Sequence, residues 1–293
     1  MARVFNGQVT NLGLGGSGGV TGMFRTLLSG SLDLNTNDIE EQGAGGQIWT
    51  GKGITEATLK FSCIGPDITN AALFFPTTAA VQIENFPGFY VEANDGINYL
   101  NWAMTLCQPA AAQVASAGGK GSAVKWEFTV KAALGEALEA QPESCTFVNE
   151  LLGHGSPQVA VSYGNAALGT IGWTLSSDLG TDFHNPQDAK ETGALTWPDG
   201  CVLGNRKESF EATVSDPART EIAYVGVDAW PIEDITIALK NGTSGEDVII
   251  RLLQWQAGGP TGVPLESGAV QAYKLSAKPA TGFFYGRVTL AAT

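Results

Sequence analysis

The stretch Ala123-Val-Lys-Trp-Glu-Phe-Thr-Val-Lys131 decides the fold class. Val124, Trp126, Phe128 and Val130 alternate with Lys125, Glu127, Thr129 and Lys131, so an extended chain puts every apolar side chain on one face. A helix would scatter the same residues around its axis. The stretch therefore reads as a strand with one dry and one wet side. The alternation returns in Leu59-Lys-Phe-Ser-Cys63, Phe210-Glu-Ala-Thr-Val214, Ile235-Thr-Ile-Ala-Leu239 and Phe284-Tyr-Gly-Arg-Val-Thr-Leu290. Such strands belong to half-exposed antiparallel sheets, because the strands of a buried parallel sheet are apolar on both sides. The 38 glycines, spread along 293 residues, agree, since many short strands need many tight reversals.

Helical pattern is sparse. Asp95 to Leu106 fits a short helix behind an Asp cap, Ser244 to Trp255 fits its counterpart or a strand, and Pro142 to Leu152 fits a third helix. The expected fold is mainly β. It has two tandem antiparallel sandwich or barrel-like domains, each with a short flanking helix, over residues 1–140 and 158–293, with 141–157 as linker. Four landmarks recur in the same order in both halves. Leu32-Asp-Leu34 answers Trp173-Thr-Leu175, and Ile48-Trp49 with Leu59–Cys63 answers Leu195-Thr-Trp197 with Phe210–Val214. Leu100-Asn-Trp102 answers Leu253-Gln-Trp255, and Ala123-Val124 answers Ala269-Val270. This order points to an internal duplication.

Charge and motifs narrow the chemistry. A net charge of −13 disfavours tight binding to a phosphate backbone and suits a soluble surface or a passage that nucleic acid crosses without sticking. No run of 18 apolar residues and no signal-like start is present, so the expectation is synthesis in the cytoplasm with no membrane segment. Cys63, Cys107, Cys145 and Cys201 lie far apart and are expected as reduced, mostly buried thiols. Asn11-Leu-Gly-Leu-Gly-Gly-Ser-Gly-Gly-Val-Thr-Gly22 contains the dinucleotide pattern Gly13-x-Gly15-x-x-Gly18 and the elbow-like Gly15-Gly-Ser17-Gly-Gly19. The first needs a helix opening inside the loop, and the glycines on both sides deny it one. The second needs a histidine base, and His154 and His184 sit in a linker and a polar turn. Acid pairs such as Glu40-Glu41 and Glu233-Asp234 read as solvated loops. No catalytic set, cofactor or metal ligand group emerges, so the expectation is a protein that is not an enzyme. Residues 1–25 are expected to form a Gly-rich arm, with Leu12, Leu14 and Val20 as apolar anchors on a neighbouring subunit. Trp49 and Trp197, at strand ends, suit burial in a contact or stacking on a sugar. The wet strand faces carry Lys60, Ser62, Lys125, Glu127, Ser209 and Glu211.

This layout of duplicated strand-rich halves, long Gly and Ala loops and strong acidity resembles a phage major tail tube protein with two tube domains fused in one chain. The resemblance implies a virion protein, made in the host bacterial cytoplasm. Three chains would form a pseudo-hexameric ring, and rings would stack through loops and arms into an acidic conduit that DNA crosses without tight binding. It also implies tape-measure, tail terminator and tip proteins as partners. Residues 38–53 and 180–204 would be the inter-ring loops. Alternatives are a head decoration or baseplate protein, or a carbohydrate-binding β-sandwich module.

Overall fold

The computed structural model describes residues 5–16, 19–22, 24–36, 39–43, 46–51, 55–75, 86–94, 99–118, 122–140, 145–146, 159–184, 190–192, 195–215, 232–240, 247–258, 273–280 and 288–292. The first half holds β1 (Phe5–Gly16), β2 (Gly19–Gly22), β3 (Phe24–Thr36), β4 (Ile39–Gly43), β5 (Gly46–Gly51) and β6 (Thr55–Pro66). It continues with α1 (Ile68–Ala72), β7 (Phe89–Asn94), β8 (Tyr99–Ser116) and β9 (Lys125–Leu138). Next come β10 (Cys145–Thr146), β11 (Val159–Tyr163), β12 (Ala166–Leu168), β13 (Thr170–Asp178), β14 (Asp182–His184), β15 (Lys190–Thr192) and β16 (Leu195–Trp197). The last strands are β17 (Gly200–Val202), β18 (Lys207–Val214), β19 (Ile232–Leu239), β20 (Val248–Ala257), β21 (Tyr273–Pro279) and β22 (Val288–Ala292). The protein is mainly β, and its large sheet is antiparallel apart from the short β10–β2 pair.

Each half follows one strand order. In the first, neighbours run β2-β1-β7-β8-β9-β6-β3, and in the second they run β12-β11-β19-β20-β21-β18-β13. Irregular features coincide as well. The β3–β6 ladder slips between Leu27 and Ser29, opposite Cys63 and Ser62, and the β13–β18 ladder slips between Thr170 and Gly172, opposite Val214 and Thr213. Leu106 and Gln254, the non-glycine residues with positive φ among those described, precede Cys107 and Trp255, which hold matching places on β9 and β21. Gly15 donates its N–H to Gly88 O at 2.9 Å, and Gly164 donates to Asp234 O at 2.8 Å in the equivalent corner.

The halves differ in how one edge is covered. In the first, the start of β1 pairs with β3, Phe5 opposite Leu34 to Gln8 opposite Ser31, so β1-β3-β6-β9-β8-β7 closes on itself. In the second, the corresponding edge of β13 is paired with β8, Asp178 opposite Ala111 to Trp173 opposite Ser116. β8 thus belongs to both halves and carries one sheet across the chain.

Apolar residues from both halves line the inner side of this sheet. Leu32, Leu59, Phe61, Trp126, Phe128, Leu175, Phe210 and Leu275 are all buried there. Phe74, just beyond α1, closes the first half over Phe61 and Phe128, with ring centroids 6.2 and 4.4 Å away. Asp67 caps α1 by accepting from the Asn70 N–H at 3.0 Å.

The described strands overturn the helices expected over Asp95–Leu106 and Pro142–Leu152 and the N-terminal arm, and they decide between the two readings of Ser244–Trp255. From Tyr99 onward the helix expected over Asp95–Leu106 is replaced by the start of β8, where Asn101, Trp102, Ala103 and Met104 are buried on both sides of the sheet and alternation disappears; 95–98 lie outside the described residues. Ser244–Trp255, which fits a helix or a strand, is strand β20 from Val248 onward, and 244–246 lie outside the described residues. Within 142–152 the described pair Cys145–Thr146 runs parallel to Val20–Thr21, and the remainder lies outside the described residues. α1 is the helix among the described residues, and it belongs to the first half. The glycine-rich stretch is likewise paired, Gly13 with Gly22 through Gly16 with Gly19, and Val9 and Leu12 sit in the chain's own core. It is part of the sheet, not an arm. Glycines kept it from reading as a strand because their side of the pleat carries no apolar atoms, and pairing on both edges supplies the order instead.

Candidate functional surface

The outer side of the shared sheet is polar from β3 to β21. Because the pleat alternates strictly, the ladders align its side chains in rows that cross both halves. One row reads Ser31, Lys60, Thr129, Ala111, Asp178, Lys207. The next reads Ser29, Ser62, Glu127, Gln113, Ser176, Ser209. A third reads Lys125, Ala115, Thr174, Glu211, Ser276. All six residues expected on wet faces, Lys60, Ser62, Lys125, Glu127, Ser209 and Glu211, lie in these rows. Lys60 and Lys207, from different halves, share a row because Ala111 of β8 stands between Thr129 and Asp178.

The surface is hollowed. A depression of about 830 Å³ is floored by Ala111, Gln113, Glu127, Ser176, Asp178 and Ser209 and walled by Arg206, Glu208 and Lys278. A second, of about 290 Å³, lies over Ser29, Ser31, Lys60 and Ser62 and shares Glu127 and Thr129 with the first. Together they form a trough along the rows. Ala111 of β8 helps to keep its floor low, since a methyl group stands lower than the lysines and glutamates around it. Ser62 is on this side yet buried at 3% exposure, its hydroxyl bonded to that of Ser29 at 2.6 Å.

Charge on this side is mixed. Lys60, Lys125, Lys207, Lys274 and Lys278 stand among Asp33, Glu56, Glu127, Asp178 and Glu211, so the acidic excess of the chain is not concentrated here. Lys125 Nζ lies 2.6 Å from Glu127 Oε1 with both side chains half exposed, and Arg206 pairs with Glu208 at the trough wall. Among the described residues no three His, Cys, Asp or Glu side chains converge as metal ligands. No helix there is long and apolar enough to cross a membrane.

The segment between β13 and β18 folds over the first half. Leu179 N–H donates to Ala110 O at 2.9 Å, and the Thr181 hydroxyl donates to Pro109 O at 2.6 Å. Lys131 Nζ lies 3.2 Å from Asp182 Oδ1 and 5.0 Å from the centroid of the Phe183 ring. The Phe183 N–H first, then the hydrogen bond and charge of Lys131, hold the Asp182 carboxyl below its usual range. Trp197 is fully buried, its ring over Gly135, where an added Cβ would stand 3.2 Å from Trp197 Cη2 and 3.5 Å from Trp102 Cε3. Gly135 is the opening that admits the indole. Burial pushes the thiols of Cys63 and Cys107 up, and that of nearby Cys201 up to about 12, so all three stay protonated near neutrality.

Of the expected contact residues, Trp197 is therefore buried within the chain, Leu12 is in its core and Leu14 is packed against that core. Val20 and Trp49 are in strands β2 and β5, and their side chains lie outside the described residues, as does His154. His184 is exposed, with Nδ1 4.0 Å from Asp199 Oδ2, and Ser17 lies outside the described residues. Sequence reasoning missed Ser29, Gln113, Ser176 and Asp178 in the rows. The alternation of β13 marks two of them, whereas alanines on both faces of β8 give Gln113 no contrast.

Set against known proteins, the chain matches no family model and no curated relative.

Proposed function

We propose that this chain is a structural, self-associating protein of the phage tail tube class, working as a wall element of a conduit for DNA. The observation that carries the reading is the trough-bearing polar side, which crosses both halves without a break. A wall built from copies of such a sheet needs one side that tolerates water and a passing polymer, and another that holds the fold. The polar side lines the bore. Its lysines and carboxylates alternate at strand spacing, so a phosphate backbone meets local attraction and repulsion that largely cancel beyond a Debye length of about 8 Å. DNA is thus neither held nor excluded. The acidic excess resides elsewhere on the chain and serves solubility before assembly.

The joint within the chain supports the same reading. Two topologically equal halves already meet edge to edge through β8 and β13, a heterologous contact of the kind that generates rings when repeated. Three chains would then present six equivalent units. Burial of Trp197 speaks against its use as a sugar platform. The test is direct: purified protein is concentrated and examined by mass photometry and negative-stain microscopy. Rings or tubes with a central bore are expected. Strictly monomeric protein at all concentrations would overturn the reading.

A further inference from the structure

The joint between the halves shows what the end of one half takes as a neighbour. The β8–β13 ladder ends at Asp178, and beyond it the chain of the second half crosses the first. There the Leu179 N–H and the Thr181 hydroxyl reach Ala110 O and Pro109 O, and Asp182 Oδ1 stands 3.2 Å from Lys131 Nζ. In this surface Gln108 is 7% exposed, Ala133 is buried, and Lys131 keeps 24% of its side chain in water.

The second half carries the same surface. Trp126 stands opposite Cys63 and Tyr273 opposite Val214, each at the matching slip, and counting on from them sets Lys278 in the place of Lys131 and Ala280 in that of Ala133. The ladder on the other side agrees. Lys131 faces Gln108 and Lys278 faces Gln256, and each glutamine lies two residues past the positive-φ residue of its strand. Two ladders therefore give lysine and glutamine equal places in both halves, yet their surroundings differ. Gln256 and Lys278 are exposed and Ala280 is half-buried, and among the described residues no carboxylate pairs with Lys278. The surface is covered in the first half and open in the second.

The occupant that fits is a second copy of this chain. Asn35 on β3 matches Asp178 on β13, so the segment between β3 and β6 holds the chain position of 179–206. Each segment contains a hairpin, β4–β5 in the first half and β15–β16 in the second. β14, β16 and β17 pack on β6, β8 and β9, whereas among the described strands β4 and β5 pack chiefly on each other. The β4 sequence Ile39-Glu-Glu-Gln-Gly43 brings Glu40 and Glu41, the charge that Asp182 supplies to Lys131. In its own chain β3 is six strands from β21 along the sheet, roughly 29 Å at strand spacing, so the hairpin meets Lys278 of another copy. The contacts of 179–183 lie outside the β8–β13 ladder, so their repetition needs no open edge on β3. We propose that the surface around Lys278 and Gln256 is a docking site for the β4–β5 hairpin of a second copy, whose Glu40 and Glu41 supply a carboxylate to Lys278. This rests on the reading of the chain as self-associating and gives the joint between copies a named contact.

The test exchanges charge across the contact in the full-length protein. Lys278→Glu, Glu40→Lys/Glu41→Lys and the combination of all three are compared with the parent by mass photometry over a concentration series. Unfolding midpoints are measured beside them, and Lys278→Glu, at an exposed site, is expected to keep the parent's value. Lys278→Glu is expected to need about tenfold more protein to assemble, because it sets like charges together, and Glu40→Lys/Glu41→Lys the same. The combination is expected to assemble at the parent's concentration. A net-charge effect would instead move the first two variants in opposite directions, since one adds negative charge and the other positive, and that result would overturn the site. Equal assembly of Lys278→Glu and parent would overturn the docking site while leaving self-association standing. A combination that assembles no better than Lys278→Glu would overturn the hairpin as occupant. If the parent is monomeric at every concentration, docking site and tube reading fall together.

Discussion

Replacing Gly118 by Ala tests the joint that makes one sheet of two halves. Gly118 follows β8 with φ +74°, and a Cβ built on it lies 1.7 Å from Ile171 O and 2.8 Å from Ile171 C. Both are backbone atoms of β13, so no side-chain rotation relieves the clash. Alanine in the left-handed region costs about 1 kcal/mol, and forcing backbone apart in a packed site adds about 1–3 kcal/mol. The expected loss is therefore about 2–4 kcal/mol, a large share of the 5–15 kcal/mol typical of a folded protein. With a urea slope of about 3 kcal/mol per molar, the midpoint should fall by about 1 M. Gly200→Ala is the control, because its added Cβ meets nothing within 4 Å. Equilibrium unfolding followed by tryptophan fluorescence and far-UV circular dichroism measures both. A Gly118→Ala midpoint equal to that of Gly200→Ala would refute the contact between β8 and β13 as described.

Further expectations follow from the packing and the ionisation. Trp197→Ala should destabilise the protein by about 3 kcal/mol, in the range for a buried aromatic, with proteolysis first appearing within 180–204; an unchanged midpoint would contradict the docking over Gly135. Lys131→Gln should raise the titration midpoint of Asp182, read by NMR, while the Phe183 N–H keeps it from returning fully to the ordinary range. The sign follows from the depressed carboxyl: its stabilising effect is present above the usual carboxylate range and is lost as pH falls through the folded value. Tyr163, raised mainly by burial with Glu233 adding and the Ala257 N–H opposing, should act at the other end. Its unfolded phenol ionises first, so stability present below the ordinary tyrosine range declines as pH climbs toward the folded value, and Tyr163→Phe should flatten that decline. Deleting residues 2–22 should unfold the first half, because Val9 and Leu12 leave its core; retained far-UV signal and midpoint would show the stretch to be dispensable.

The element types were legible wherever one side of a strand met water. The quoted stretch at 123–131 contrasts charge with bulk at every step, and β6, β18 and β19 do the same. Where both sides are covered, the contrast vanishes. That is why the start of β8 resembled a helix, and why glycines in β1 resembled an arm. The pairing of Leu59–Cys63 with Phe210–Val214 coincides with the ladder, because both sit opposite the same slip. Trp102 and Trp255 do not correspond: the ladders set Trp255 in the place of Cys107. Matching residue types cannot reveal register when the tryptophans do different jobs.

By itself, the sequence determined which side of each amphipathic strand is wet, and hence that Lys60, Glu127 and Glu211 belong on water-facing surfaces. Period-two alternation is a local property, set by the pleat and the hydrophobic effect within a few residues. Only the tertiary structure decided that these surfaces are one surface, that β8 serves both halves, and that Trp197 is buried against the first half. Those outcomes depend on which edges meet, and backbone N–H and C=O groups that pair across an edge are the same in every residue except proline.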